Sequence, residues 1–447
     1  MTYTDSGGAG HWQALRERID ARTARIAVMG LGYVGLPLAL ALAEAGFAVT
    51  GVDPDVAKCD AVNRGESYVG DVPGACVAAQ VAAGRLLADP TPAPLAQADV
   101  VIICVPTPLS KGKDPDISYI VKAADGLSGA MHAGMLVVLE STTYPGTTEE
   151  ILLPRVGQNG FAVGQDVFVA FSPERVDPGN KTYTIRNTPK VVGGVTPACL
   201  DLALALYAAI VERTVPVSSP ATAEMVKILE NTYRAINIGL VNEMAQICHR
   251  IGLDIWEVIA AASTKPFGYA PFYPGPGLGG HCIPIDPLYL TWKMRALSVQ
   301  TRFIELADVV NAEMPRYVVQ RVQDALNDDA KPLRGSRILV LGVTYKPDVA
   351  DLRESPALTV MDLLLERGAL VSYHDPYIER LALPEAGVLA GVALTDEALA
   401  AADCVLIHTA HAGYDWARVA AHARTIFDTR NAIETATYDG SARLYRL

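Results

Sequence analysis

From Arg25 onward, short uninterrupted apolar runs alternate with longer stretches in which apolar residues recur at helical spacing. Residues 26–29, 49–52, 100–105, 135–140 and 167–171 read as strands, and their alternation with helices argues for a parallel, doubly wound sheet. A second strand-helix-strand series begins near Arg337, with strands at 338–342, 370–375 and 404–408 and a helix over 357–367. Between the two series the texture changes. Residues 221–251 lack proline and carry apolar residues at helical spacing, and 255–262 and 299–327 look helical too. A polar stretch at 327–332 reads as a linker. The pattern therefore predicts an α/β chain with two doubly wound parallel-sheet domains joined by a helical middle domain with a long central helix. Its divisions fall at 1–24 (an N-terminal extension), 25–217, 218–326 and 327–447. The long middle helix can fill a core or supply a dimer surface.

The chain has 447 residues, enough for two or three separate cores, and half of them are hydrophobic. A net charge of -12 disfavours a general nucleic-acid or anionic-membrane binder, though local basic pockets for phosphates remain compatible with it. No apolar run reaches the roughly 18 to 20 residues that span a bilayer; the stretch 36–52 is broken by Pro37, Glu44 and Gly46. Residues 14–25 are charged throughout, so no apolar core of a secretory signal precedes the first strand, and a cytoplasmic location is expected. The seven cysteines, at 59, 76, 104, 199, 248, 282 and 404, show neither a disulfide framework nor paired zinc spacing, and no metal is expected. Six of them sit in apolar or helix-like surroundings as small core residues; Cys282 does not.

Three clusters carry candidate chemistry. Gly30-Leu31-Gly32-Tyr33-Val34-Gly35 follows a strand and opens an Ala/Leu-rich helix, so its glycines can make a tight turn, admit a pyrophosphate to the helix N-terminus and pack helix against strand. Asp53 ends the next strand, where a carboxylate accepts from ribose hydroxyls and repels a 2′-phosphate, favouring NAD over NADP. Lys58 nearby can blur that preference or simply be a solvated helix lysine. The second cluster runs from Gly275 through Gly279-Gly280-His281-Cys282 to Asp286, a glycine-rich loop that presents a thiol with a carboxylate four residues on. If a helix starts near Cys282, its dipole lowers the thiol pKa and Asp286 lies one turn away, placed to exchange protons with the thiol or a water. His281 can shape this loop, and a metal-ligand reading of His281 with Cys282 lacks a second pair at ligand spacing. Third, Lys227 and Asn231 share a face of the long helix amid apolar neighbours, either to stabilise an oxyanion or as a solvated polar stripe. Glu174 follows a strand and reads as a water-activating base or a surface carboxylate.

Taken together, these motifs resemble those of the UDP-glucose/GDP-mannose dehydrogenase family, in the expected order from about residue 25 to 430. They include Val105-Pro106-Thr107-Pro108, Glu140-Ser141-Thr142-Thr143-Tyr144-Pro145-Gly146, Ser172-Pro173-Glu174-Arg175 and Tyr345-Lys346-Pro347-Asp348 followed by Arg353-Glu354-Ser355, besides the three clusters above. The resemblance implies Rossmann-like outer domains, the first for NAD and the last for a UDP-sugar. It also implies a four-electron oxidation of a sugar C6 alcohol to a uronate, through a thioester on Cys282 and with two NAD reduced. Lys227 and Asn231 would stabilise oxyanions, Asp286 would assist proton transfer, and Glu174 with Thr142 would position or activate the hydrolytic water. The implied cofactor contacts are Gly30, Gly32, Tyr33, Val34, Gly35, Asp53, Lys58, Thr107, Thr142 and Arg353. The implied substrate contacts are Glu174, Arg175, Lys227, Asn231, Tyr273, Gly279, Lys346 and Arg430. A homodimer is expected from the same resemblance.

Two departures bear on the sugar. The segment Ser172-Pro173-Glu174-Arg175-Val176-Asp177-Pro178-Gly179 stands where many UDP-glucose and GDP-mannose enzymes read Asn-Pro-Glu followed by Phe-Leu, and His281 stands where serine is common. Both look more like the UDP-N-acetylhexosamine branch, and Arg175 either binds a sugar substituent or pairs with a neighbouring acid; UDP-glucose stays open. The glycine pattern after the second series is incomplete, since Gly342 is followed by Val343-Thr344-Tyr345-Lys346, so no second NAD is assigned there. Two other classes compete: a single-step alcohol or hydroxy-acid dehydrogenase, which needs no nucleophilic cysteine, and a non-catalytic UDP-sugar or NAD sensor on the same scaffold.

Overall fold

The computed structural model describes residues 8–447 apart from 111–113, 178, 181, 434–437 and 439. Pro178 of the segment quoted above lies outside the described residues. Two compact units emerge, one formed by Met1–Glu230 with Leu288–Ser298, the other by Asn231–Pro287 with Val299–Leu447.

The first unit is built on eight strands: β1 (Arg25–Met29), β2 (Ala48–Val52), β3 (Leu86–Asp89), β4 (Val100–Ile103), β5 (Leu136–Leu139), β6 (Phe168–Phe171), β7 (Lys190–Gly194) and β8 (Thr214–Val217). Their order is β3-β2-β1-β4-β5-β6-β7-β8. All neighbours are parallel except β6 and β7. Strands β4, β5 and β6 are buried on both faces, which is why they appear in the sequence as unbroken apolar runs. The sequence pattern did not reveal β3, β7 and β8, and each has a local reason. β3 ends in Asp89 with alternating exposure, β7 opens on a lysine and closes on two glycines, and β8 holds Pro216, tolerated because β8 is an edge strand. The order reverses at β1, flanked by β2 and β4, so the carboxyl ends of β1 and β4 mark the switch point where such sheets bind ligands. The helix Gly35–Glu44 leaves β1 almost wholly apolar and packs its buried leucines and alanines on the sheet.

The second unit carries a five-stranded sheet and several helices, among them the greater part of the long one. Strands β9 (Arg337–Leu341), β10 (Leu370–His374), β13 (Cys404–Ile407), β14 (Thr425–Asp428) and β15 (Arg443–Arg446) form a parallel sheet ordered β10-β9-β13-β14-β15. A separate antiparallel ribbon joins β11 (Arg380–Leu383) and β12 (Gly387–Ala390). The long helix Pro220–Ile251 starts in the first unit and contributes Asn231–Ile251 to the second. In the second unit the helix Ile255–Ala262 is N-capped by Asp254, whose carboxylate accepts from the Trp256 amide. The helix Arg302–Asn327 runs through Pro315 and packs Met314, Val318, Val319 and Val322 into the core beneath β9 and β13. Asn311 on that helix bonds Asn242 at 2.9 Å, and Asn242 in turn accepts from the Gly275 amide at 2.9 Å. The glycine loop is thereby tied to two helices from its first residue. Among the described residues, no helix is long and apolar enough to cross a membrane.

Candidate active site

The turn after β1 has the shape that a dinucleotide needs. Gly30 sits at φ +91°, and a Cβ there would lie 2.5 Å from the Cys104 carbonyl oxygen at the end of β4. Gly35 admits no Cβ either, since one would meet the Gly30 carbonyl, whereas Gly32 faces open space into which a ligand can approach. Val34 caps the helix Gly35–Glu44 without a side-chain bond; in the first turn the Leu36 amide donates to the Gly32 carbonyl at 3.1 Å and Pro37 carries no N–H, so the Gly35 amide is the one at hand for an anion, and Tyr33 is exposed beside it. Asp53, buried at the end of β2, accepts from the Leu31 amide at 2.8 Å and the Asp55 amide at 3.0 Å. Lys58 reaches the same carboxylate at 3.4 Å, so it is an ion-pair partner of Asp53 and not merely a solvated lysine. The residues fit NAD: open backbone at Gly32, a helix N-terminus without a side-chain cap, and a carboxylate held in place for ribose hydroxyls. Thr107, in the loop that follows β4, is buried, and its carbonyl accepts from the Tyr289 hydroxyl at 2.8 Å.

A second group of polar residues lies in the first unit beyond the ends of β5 and β6. Glu174 is buried, with Oε1 accepting from the Arg175 amide at 2.7 Å and the Val176 amide at 2.6 Å. Burial alone would push its carboxyl up. The Lys190 ammonium, 3.6 Å away, the Val176 amide and Lys227 outweigh that and hold Glu174 below the ordinary carboxylate range. Of the two readings of Glu174, the surface carboxylate is therefore not what the fold presents. Lys227 is buried as well, which sets aside a solvated stripe on that face of the helix. Thr142 is half-buried at the start of the loop that follows β5. Glu224, one helical turn before Lys227, accepts from the Gly146 amide, the Thr148 amide (2.9 Å) and the Thr148 hydroxyl (2.7 Å), fixing the far end of that loop. Arg175 points elsewhere: its guanidinium forms a two-pronged pair with Glu230 and donates to the Pro189 carbonyl at 2.7 Å. Sequence reasoning quoted Glu140 in a motif but gave no role to it, to Lys190 or to Glu224; a lysine or glutamate inside an otherwise buried run was the available signal.

In the second unit, Cys282 is exposed, and its carbonyl accepts from the Asp286 amide at 2.8 Å. The helix itself begins at Asp286 rather than at Cys282, because Pro284 interrupts the preceding turn. One helical-type turn nevertheless separates thiol and carboxylate, as the four-residue spacing suggested. Asp286 is buried and accepts from the Asn231 amide nitrogen at 2.6 Å, which fixes the Asn231 side chain and leaves it a second N–H donor. The loop before Cys282 rests on the segment after β9. The Gly280 amide donates to the Arg353 carbonyl at 3.0 Å, Gly280 is at φ +82°, and a Cβ there would lie 2.7 Å from the Tyr345 ring. Gly279 is equally confined, 2.6 Å from the Tyr345 Cβ by the same construction. The Arg353 guanidinium pairs with Asp351 at 2.7 Å, Lys346 is half-buried, and Tyr273 is exposed and stacked on Trp256. Arg430 donates to the His408 carbonyl at 2.9 Å next to Gly275, and burial pulls its guanidinium down to about 10.

The second sheet repeats the geometry of the first turn with a different filling. Gly342 takes φ +77° after β9, and the Val343 amide donates to Asp375 at 2.7 Å, as Leu31 does to Asp53. Here the carboxylate is met by the buried His411 ring at 3.0 Å, so an imidazole stands where ribose hydroxyls would bond.

A glycine turn at a switch point, backed by an acidic strand end, defines a dinucleotide-binding protein of the Rossmann type. Family models sharpen this. The NAD binding domain of the UDP-glucose/GDP-mannose dehydrogenase family matches residues 24–211, its central domain 221–313 and its UDP binding domain 339–435. The chain belongs to that family. It is thus an NAD-dependent oxidoreductase of the nucleotide-sugar dehydrogenase class. It is 34% identical to UDP-N-acetyl-D-mannosamine dehydrogenase of Methanococcus maripaludis, over 92% of this chain and 93% of the relative. It is 37% identical to NDP-N-acetyl-D-galactosaminuronic acid dehydrogenase of Ralstonia nicotianae, over 92% and 96%. The solved UDP-D-ManNAc dehydrogenase of Pyrococcus horikoshii superimposes with a TM-score of 0.84 at 32% identity, covering 94% of this chain and 98% of that one.

Proposed function

We propose that the chain is a UDP-sugar 6-dehydrogenase that oxidises the C6 alcohol of UDP-N-acetyl-D-mannosamine to the carboxylate through a thioester on Cys282. The observation that carries this is the exposed Cys282 thiol in a confined glycine loop, one turn from a buried Asp286 already bonded to Asn231. A single-step dehydrogenase has no use for such a nucleophile. Bound NAD supplies the hydride acceptor for both oxidations, two per sugar. Cys282 attacks the aldehyde carbon to give a thiohemiacetal and later carries the acyl group as the thioester. Asp286 moves the proton of the thiol, and Lys227 and Asn231 donate to the oxygen that gains charge when the carbonyl becomes tetrahedral. Glu174 and Thr142 bind the water that releases the uronate. Arg353 serves the cofactor, and Lys346, Arg430, Tyr273 and Gly279 serve the substrate.

The N-acetylmannosamine assignment is supported by the names of the Methanococcus and Pyrococcus relatives, and by His281 and Arg175, which look more like the N-acetylhexosamine branch. The Ralstonia relative favours a second reading, an N-acetylgalactosamine-type sugar. Comparing kcat/KM for UDP-N-acetyl-D-mannosamine, UDP-N-acetylglucosamine, UDP-N-acetylgalactosamine, UDP-glucose and GDP-mannose decides between them. The first should exceed the others by at least about tenfold, the discrimination that roughly 1.4 kcal/mol of transition-state binding provides. Equal use of UDP-glucose would remove the N-acetyl assignment, and a maximum with UDP-N-acetylgalactosamine would install the second reading.

Two further points complete the proposal. The second unit exposes Tyr233, Leu240, Met244, Ile247 and Ile251 on the long helix, and Phe303 and Leu306 on the helix Arg302–Asn327, an apolar display that supports a homodimer. The scattered, odd-numbered cysteines and the NAD requirement support a cytoplasmic location.

A further inference from the structure

Three ionisable side chains that rarely go below a protein surface lie together in the first unit. Lys190, the first residue of β7, places its ammonium 2.9 Å from Glu140 Oε2, at the end of β5, and 3.6 Å from Glu174 Oε2. The Lys190 and Glu140 side chains are 5% and 0% exposed. The Tyr207 hydroxyl, on the helix Pro197–Tyr207, donates to the other oxygen of Glu140, and the same ammonium lies 5.2 Å from the centre of the Tyr207 ring. Nothing in the chemistry proposed above uses Lys190, Glu140 or Tyr207. Burying two carboxylates and one ammonium is costly, and an apolar trio of similar volume would stabilise the fold as well or better. The arrangement therefore calls for a reason other than stability.

We infer that Lys190, anchored by Glu140, is a positioning residue for Glu174, and that it fixes the Glu174 carboxylate for the water that hydrolyses the thioester. Glu174 Oε1 is held by two backbone amides, so Oε2 is the oxygen whose surroundings Lys190 sets. Glu140 and Tyr207 in turn prevent the lysine from swinging away. The other groups facing Glu174 are Lys227 on the long helix and the Cys104 thiol at the end of β4, pushed well up by burial. Burial pulls the Lys190 ammonium down, but Glu140 and Glu174 outweigh it and keep the group charged. Glu174 is consequently a carboxylate over the working range. It accepts a hydrogen bond from water and orients it without having to keep the proton.

In the hydrolysis that this serves, the water oxygen bonds to the thioester carbon and the carbon–sulfur bond breaks. The electron pair leaves on the Cys282 sulfur, one water proton passes to that sulfur, the other is lost from the new carboxyl group to solvent, and no oxidation or reduction takes place. The inference rests on the thioester reading of the proposed function, and the test separates the two.

The test compares wild type, Lys190→Met and the charge-matched pair Glu140→Gln with Lys190→Met, which removes both ends of the buried ion pair together and so protects folding. Each is given NAD and UDP-N-acetyl-D-mannosamine. Pre-steady-state NADH formation, KM values, the acid limb of the kcat profile and the acid-quenched mass of the Cys282 peptide are recorded. Wild type should form two NADH per sugar. In the double variant both oxidations and kcat/KM should stay within about threefold of wild type, while kcat falls at least about tenfold and KM falls with it as the acyl-enzyme builds up; the loss is smaller than the roughly 10²- to 10⁴-fold that a general acid or base itself contributes, since Lys190 acts through Glu174. Acylated Cys282 should accumulate. In Lys190→Met, with the ammonium gone and Glu140 still in place, burial raises the Glu174 pKa, so activity that needs the carboxylate is lost at a higher pH and the acid limb moves up; removing Glu140 as well takes away its repulsion and makes the shift smaller. Unchanged hydrolysis with an unmoved acid limb would overturn the inference, as would parallel losses in binding, oxidation and hydrolysis, which mark a purely structural role. Wild type giving one NADH per sugar would instead overturn the reading beneath it.

Discussion

With Oδ2 accepting from Leu31 and Oδ1 from Asp55, Asp53 is held in one orientation while its carboxylate still has lone pairs for ribose hydroxyls. It also meets a 2′-phosphate with negative charge, which the Lys58 ammonium at 3.4 Å only partly offsets. Asp53→Asn should weaken NAD binding roughly ten- to hundredfold, in line with hydrogen bonds to a charged group of about 1.5 to 3 kcal/mol. It should also narrow the preference over NADP, read by titrating both cofactors; an unchanged ratio would take Asp53 out of the adenosine site. Cys282→Ser should bind NAD as wild type does and lose uronate production, checked by product mass. At this scale the sequence was legible where a residue's chemistry is unusual for its surroundings. Cys282 in a glycine loop and Asp53 at a strand end stood out for that reason. Glu140 and Lys190 did not, because a charge beside a short apolar run looks like the end of a strand until the partner fifty positions away is seen to be buried with it.

The elements that position the site obey simpler rules. Strands buried on both faces left continuous apolar runs that could be read directly, whereas β3, β7 and β8 hid behind an aspartate, paired glycines and an edge proline. The helix begins at Asp286, one turn after the start near Cys282 that the sequence left as a condition, since the turn from Cys282 is helical in its hydrogen bond but not yet part of the helix. The glycine loop shows how an element can be shaped entirely by what lies against it. Gly280 must keep a positive φ and leave room for the Tyr345 ring, so Gly280→Ala imposes strain of about 1 to 3 kcal/mol at the loop. Relieving it displaces Cys282, and a shift of order 1 Å costs about a hundredfold in rate. The expected outcome is kcat reduced at least about tenfold with NAD affinity unchanged, measured by kinetics and cofactor titration. Full activity in this variant would show that the loop has more freedom than its contacts imply.

For the whole molecule, the sequence pattern anticipated two parallel sheets and a long helix, while the pairing of distant side chains was out of its reach. Apolar exposure on the helices of the second unit predicts association. Sedimentation should report twice the 47.5 kDa chain mass, and Met244→Glu with Ile247→Glu should shift the protein toward the monomer. A wild-type monomer at micromolar concentration would assign those side chains another partner. The central claim is four-electron oxidation through Cys282, and the most direct measurement is NADH formed per UDP-N-acetyl-D-mannosamine consumed with NAD in excess, alongside the mass of the product. Two NADH per sugar with a uronate product is the predicted result; one NADH with an aldehyde or ketone product would contradict it.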